Sequence, residues 1–203
     1  MKKLMILYFI VMTPAGSAVE VTAPFGLDWG QSKRFITLKG VQIKDCAPIA
    51  NGLESCQASN LPKAISFGDI YKLIFDSEKG LQKTQLLGED ITNDAYGTEG
   101  KRLYSKLKNT FIKKYPSSEY KHSSYEWIAK ELYKDSDEFY ECLDYDGCGS
   151  WATYILGKGS IIVELKGLSR GKGWLAMTHE SPEWADIIDK ANSREDESDM
   201  DAL

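Results

Sequence analysis

The sequence predicts an α+β domain, with an antiparallel sheet built from an N-terminal hairpin and a C-terminal three-strand meander, about three packed helices and two local disulfides. Three observations carry the prediction. Residues 69–87 alternate apolar and polar side chains around a turn, residues 97–115 repeat apolar side chains at helical spacing, and residues 151–179 form three alternating runs separated by glycine-containing turns.

The N-terminus comes first. Lys2 and Lys3 precede nine apolar residues, 4–12, and Thr13-Pro14-Ala15-Gly16-Ser17-Ala18 then offers a helix breaker and small side chains. This is the tripartite pattern of a secretory signal peptide, 1–18, cleaved near Ala18. Nine residues rise about 14 Å as a helix, under half of a roughly 30 Å hydrocarbon core. No cysteine lies near the cleavage point, and no second apolar run approaches spanning length, so no stable membrane anchor is expected. The expected address is the periplasm or the exterior, with residues 19–191 as one domain and 192–203 as an acidic disordered tail.

Four cysteines remain: Cys46, Cys56, Cys142 and Cys148. An even number in an exported chain predicts disulfides, for which three connectivities exist. Local pairing is favoured, because Pro48, Asn51 and Gly52 turn the chain within the first pair and Asp144, Asp146 and Gly147 within the second. Neither spacing is that of a redox motif or a zinc site.

Along the domain, 19–24 reads as an extended lead-in, and Phe25-Gly26-Leu27-Asp28-Trp29-Gly30-Gln31-Ser32 as a strand or tight turn with its aromatic side chains against the core. Ser32 can cap a short helix over 33–39 that Gly40 terminates; a strand running on through 41–43 competes with it. Residues 45–67, with two prolines and the first cysteine pair, read as a constrained loop. The hairpin follows, with Tyr71, Leu73 and Phe75 on one face, 77–80 turning, and 81–87 returning. The helix 97–115 places Leu103, Tyr104, Leu107, Phe111 and Ile112 on one stripe, and Pro116 ends it. A polar linker, 117–124, leads to a second helix near 125–133. Strands 151–156, 160–168 and 173–179 make the meander, with Ile161, Val163 and Leu165 facing one way. A last helix is signalled by Ser181 as cap, Pro182 in its first turn and the stripe Trp184, Ile187, Ile188 and Ala191.

Removing Lys2 and Lys3 lowers the basic count from 25 to 23 against 30 acidic residues, so the net charge falls from −5 to −7. Such a balance disfavours nucleic acid and anionic lipid as partners. His179-Glu180 invites comparison with a zinc-protease helix, but Glu183 stands where the second histidine would fall and Pro182 interrupts the turn. His122 is the other histidine. No Gly-x-Ser-x-Gly turn is present, Gly157-Lys158-Gly159 and Gly171-Lys172-Gly173 are hairpin turns rather than phosphate cradles, and the carboxylate pairs Glu138/Glu141 and Asp144/Asp146 lack an EF-hand frame. No catalytic, metal or cofactor residues are assigned. The segment 137–151, rigid if bridged, presents aromatic residues among acidic neighbours, and Phe139, Tyr140, Tyr145 and Trp151 are the candidate binding loop.

Phe25-Gly26-Leu27-Asp28-Trp29-Gly30-Gln31-Ser32 resembles the opening of small exported Gram-negative proteins in which a Phe-Gly-Leu-x-Trp-Gly-x-Ser segment follows the signal peptide. Residues 71–81 and 139–151 look like the same group, and a serine-started short helix before a hairpin is loosely similar to the small α+β domain of outer-membrane assembly lipoproteins. The resemblance implies a periplasmic address and no particular chemistry. The resulting expectation is a non-enzymatic binding or accessory protein that contacts another envelope or exported protein. Its rivals are an inhibitor or immunity protein against a basic toxin or hydrolase, and a hydrolase using carboxylates with His179.

Overall fold

The structure, a computed structural model, describes residues 19–50, 52–116, 118–124, 133, 135–145 and 148–201, with residues 50, 121–124 and 194–201 described in backbone only. It is α+β. Helix α1 (Lys33–Leu38) is followed by strands β1 (Gln42–Ala50), β2 (Leu53–Ser59), β3 (Gly68–Asp76) and β4 (Gly80–Gly88), then α2 (Thr98–Lys114) and β5 (Glu119–Ser124). A 3-10 turn at Ser136–Glu138 leads into α3 (Phe139–Asp144), then β6 (Trp151–Gly157), β7 (Gly159–Ser169), β8 (Lys172–Glu180) and α4 (Trp184–Asp201).

The strands form one eight-stranded sheet in the order β1-β2-β3-β4-β8-β7-β6-β5, antiparallel throughout. The N-terminal hairpin and the C-terminal strands are therefore not separate sheets. They meet where Leu86 of β4 pairs with Met177 of β8. One face carries the main core. Tyr71, Leu73 and Phe75 of β3 join Leu86, Ile155, Ile161, Val163, Leu165, Leu175 and Met177 there, with Tyr104 and Phe111 of α2 packed over them. Each such side chain, fully buried, contributes roughly 1.5–3 kcal/mol. The lead-in is held in place too, as the Val21 N–H donates to Lys158 O at 2.8 Å and Val21 is wholly buried.

Local chemistry explains the short elements. Phe25 and Gly26 both take left-handed conformations, at φ 63° and 77°, so Pro24–Leu27 is a tight turn. The Ser32 hydroxyl accepts the Phe35 N–H at 3.3 Å and caps α1, and Gly40, at φ 89°, turns the chain out of it.

Several expectations are corrected. Residues 45–67 are no loop through their first half, because β1 and β2 form a hairpin there. Pro48 is tolerated because β1 is an edge strand, and register shifts at Lys44/Ala47 and Pro48/Ala50 bend it. The polar linker contains β5, the opposite edge, whose polar composition concealed it. The loop 137–151 contains α3. The Ser181 hydroxyl does not cap α4; it donates to Gln82 Oε1 at 2.5 Å. Helix α4 continues through the acidic segment to Asp201, where a disordered tail was expected. The signal segment 1–18 and nearly all of the helix expected at 125–133 lie outside the described residues, and no described helix is long and apolar enough to cross a membrane.

Candidate functional site

Two disulfides form, Cys46–Cys56 and Cys142–Cys148, as local pairing predicts. The first ties the edge strand β1 to β2. The second closes a loop of sequence separation 6 from α3 toward β6. Glu54 lies close to Cys46 and Cys56, but both sulfurs are spent on each other, so the trio offers no thiolate for a metal.

Helix α3 rests directly on the sheet. A Cβ at Gly173 would stand 2.2 Å from Tyr140 Cε1, and one at Gly100 would stand 2.1 Å from the Tyr140 hydroxyl, so two glycines shape the seat for one ring. The Tyr140 hydroxyl donates to Asp94 Oδ2 at 2.9 Å. Phe139 packs edge-on to Trp151 at 5.6 Å, and Trp151 to Tyr104 at 6.1 Å. Lys101 Nζ lies 4.0 Å from the centroid of the Phe139 ring, and burial lowers the pKa of its ammonium. The Tyr104 hydroxyl shares a hydrogen bond with Thr153, while burial raises the phenol's pKa.

The candidate binding loop is thus divided. Phe139 and Tyr140 are buried in the main core and Trp151 packs against it, so these three are scaffold. Tyr145 alone of the four faces solvent, 50 % exposed, just beyond α3, with its ring 5.9 Å from that of Tyr133. Around it the α3 segment carries Asp135, Asp137, Glu138, Glu141 and Asp144. Arg170, from the β7–β8 turn, pairs with Asp137 and holds that carboxyl below its usual range. The segment that leads to Tyr145 thus exposes Asp135 and Asp144, and the Cys142–Cys148 bond brackets the tyrosine.

Among the described residues, His179 is not joined to a second catalytic group. His179 is 2 % exposed, its ring 5.5 Å from Phe111 and 6.4 Å from Phe25. Burial, with the Lys114 charge nearby, pushes its pKa down to about 3, so it is neutral at any ordinary pH. Among the described residues its Nδ1 has no hydrogen-bond partner, and neither has the hydroxyl of Thr84, its buried cross-strand neighbour. Glu180, the next residue on the strand, points to the opposite face. There its carboxylate takes the Ser160 hydroxyl at 2.5 Å and Lys83 Nζ at 2.9 Å, while Lys83 lies 4.7 Å from the Trp184 ring centroid. Glu183 is exposed and pairs with Lys79 at 2.6 Å. The side chain of His122 and residue Asp146 lie outside the described parts.

Sequence reasoning missed Asp94, whose burial has no local signature, and the apolar surface of α1, where Phe35 and Leu38 face solvent. The second was legible in principle. Only Ile36 of the six-residue helix is buried, so its other apolar side chains have no core to enter. Comparison of the chain with family models, with curated proteins and with solved structures finds no match.

Proposed function

We propose that this chain is a non-enzymatic accessory protein of the periplasm, freed of residues 1–18 near Ala18, that contacts another envelope or exported protein through the α3 segment. The observation carrying the proposal is Tyr145. It is half exposed, set just beyond a helix whose aromatic residues Phe139 and Tyr140 are buried in the core, and bracketed by a disulfide whose cysteines stand three positions to either side. A pre-ordered aromatic side chain loses little entropy on contact, which is what binding hot spots require. Two disulfides match the oxidising compartment. The resemblance of residues 25–32 to small exported Gram-negative proteins supports the same address.

A second reading, an inhibitor or immunity protein against a basic toxin or hydrolase, is favoured by the exposed carboxylates of Asp135 and Asp144 in the segment that leads to the same tyrosine. Affinity capture from periplasmic extract tests both. The expected result is a specific protein retained at low salt by the unaltered chain and lost with Tyr145→Ala. Release of that protein by salt identifies the electrostatic version. Equal retention by Tyr145→Ala removes the α3 surface from consideration.

A further inference from the structure

Helix α1 stands apart from the rest of the surface. Its residues are Lys33-Arg34-Phe35-Ile36-Thr37-Leu38, followed by Lys39, with no carboxylate in the segment, although the chain as a whole carries a net charge of −5. Ile36 alone anchors it in the core. Phe35 is 52 % exposed and Leu38 77 %, and at i, i+3 they share one side of the helix. Lys39 Nζ reaches over the Phe35 ring at 5.5 Å and toward Asp28 at 3.2 Å, and Lys33 pairs with Glu54. Arg34 is exposed and makes no ion pair among the described residues. Trp29, partly buried, adjoins Phe35 across a shallow depression that also takes in Gly30, Gln31 and Ser32.

We propose that this face docks the protein reversibly on an anionic phospholipid surface. The two apolar side chains would enter the boundary between headgroups and acyl chains, with Arg34 and Lys39 beside them at headgroup level. The charge pattern argues for this occupant, since Arg34, which makes no ion pair among the described residues, and Lys39, whose partner Asp28 is itself exposed, stand beside two exposed apolar residues as phosphates over hydrocarbon require. Trp29 at the margin suits the same interface. The depression is shallow and open and does not enclose a small ligand. The chain's overall negative charge does not prevent approach, because at physiological ionic strength charges more than about 8 Å from the contact are largely screened. Two apolar side chains give weak association, so docking is peripheral, and it is independent of the α3 surface proposed above.

Vesicle flotation tests the proposal. The chain is expressed in full and recovered as the host processes it, its mass being recorded so that all variants are compared in the same form. Vesicles are either wholly phosphatidylcholine or contain phosphatidylglycerol. The expected result is flotation with the phosphatidylglycerol vesicles only, reduced about tenfold by the double substitution Phe35→Ser/Leu38→Ser and also reduced by Arg34→Glu. Both changes are at exposed positions, and unchanged near-ultraviolet circular dichroism would show the fold intact. Tyr145→Ala should float as the unaltered chain does. No flotation with anionic vesicles, equal flotation with neutral ones, or flotation that survives the double substitution would each overturn the proposal. Protein capture that depends on Phe35 and Leu38 without vesicle binding would assign the face to a protein instead.

Discussion

Tyr140 and Asp94 are joined by a 2.9 Å hydrogen bond between residues 46 positions apart in sequence. The same Asp94 oxygen accepts the Gly100 N–H at 2.9 Å, in the first turn of α2. One buried carboxylate oxygen therefore satisfies an otherwise orphaned helix donor and fastens α3 to α2. Burial, reinforced by the carboxylate, holds the phenol well above its ordinary range, so it is a permanent donor. Tyr145 inherits its position from this bond, because the helix that carries it cannot slide while Tyr140 is held.

Tyr140→Phe should remove the bond and leave the ring in place, lowering stability by about 1.5–3 kcal/mol, as expected for a buried bond to a charged group. Gly173→Ala should cost more, about 3 kcal/mol or above, because the added methyl collides with the same ring and with Lys166 O at 2.4 Å. Urea denaturation of both variants measures the losses. A Tyr140→Phe loss below about 0.5 kcal/mol would show that Asp94 is not held by this contact.

His179 makes stability depend on pH in a defined direction. Its folded pKa is depressed to about 3, against 6.5 for an imidazole in water. Above pH 6.5 both states are neutral and the histidine has no effect. As pH falls below that, the unfolded chain takes up a proton that the folded chain refuses. Folding should therefore weaken by about 1.4 kcal/mol per pH unit between roughly pH 6 and pH 3 from this group. His179→Leu should flatten that part of the curve. Urea midpoints at pH 7.5, 6, 5 and 4 decide it, and parallel curves for the two proteins would mean that the imidazole titrates normally.

The disulfides should differ in accessibility. Cys46 is exposed on the sheet edge, whereas Cys142 and Cys148 are both buried. Mild dithiol treatment followed by alkylation and peptide mass mapping should label Cys46 and Cys56 first, with Cys142 and Cys148 labelled only after denaturation. Replacing either pair by alanine should cost roughly 2–3 kcal/mol, since both loops are short. Simultaneous labelling of all four in native buffer would contradict the burial of the second bond.

Much of the fold was legible because it rests on local periodicity. Tyr71, Leu73 and Phe75 alternate in any strand, and Tyr104 and Phe111 fall on one side of any helix, so the hairpin, α2 and the C-terminal strands could be read directly from side-chain spacing. Strands β1 and β5 could not. Both are edges, where one side of the ladder needs no partner and polar residues suffice, so Gln42–Ala50 and Glu119–Ser124 carry no alternation to detect.

The candidate site divides along the same line. Disulfide pairing, the aromatic richness of the α3 segment and the cationic run in α1 were all present in the sequence. Whether Phe139 and Tyr140 faced solvent or core was not, because that depends on Gly97 arriving against the first ring and Gly100 and Gly173 against the second, from the start of α2 and from β8. Likewise, His179 and Glu180 are neighbours in the chain, and only the strand's alternation and the sheet's two unlike faces part them, one into apolar surroundings and the other beside Lys83. Spacing along a chain selects the elements. Burial is a property of what other elements bring to the same place, and it alone decided which of these residues can meet a partner.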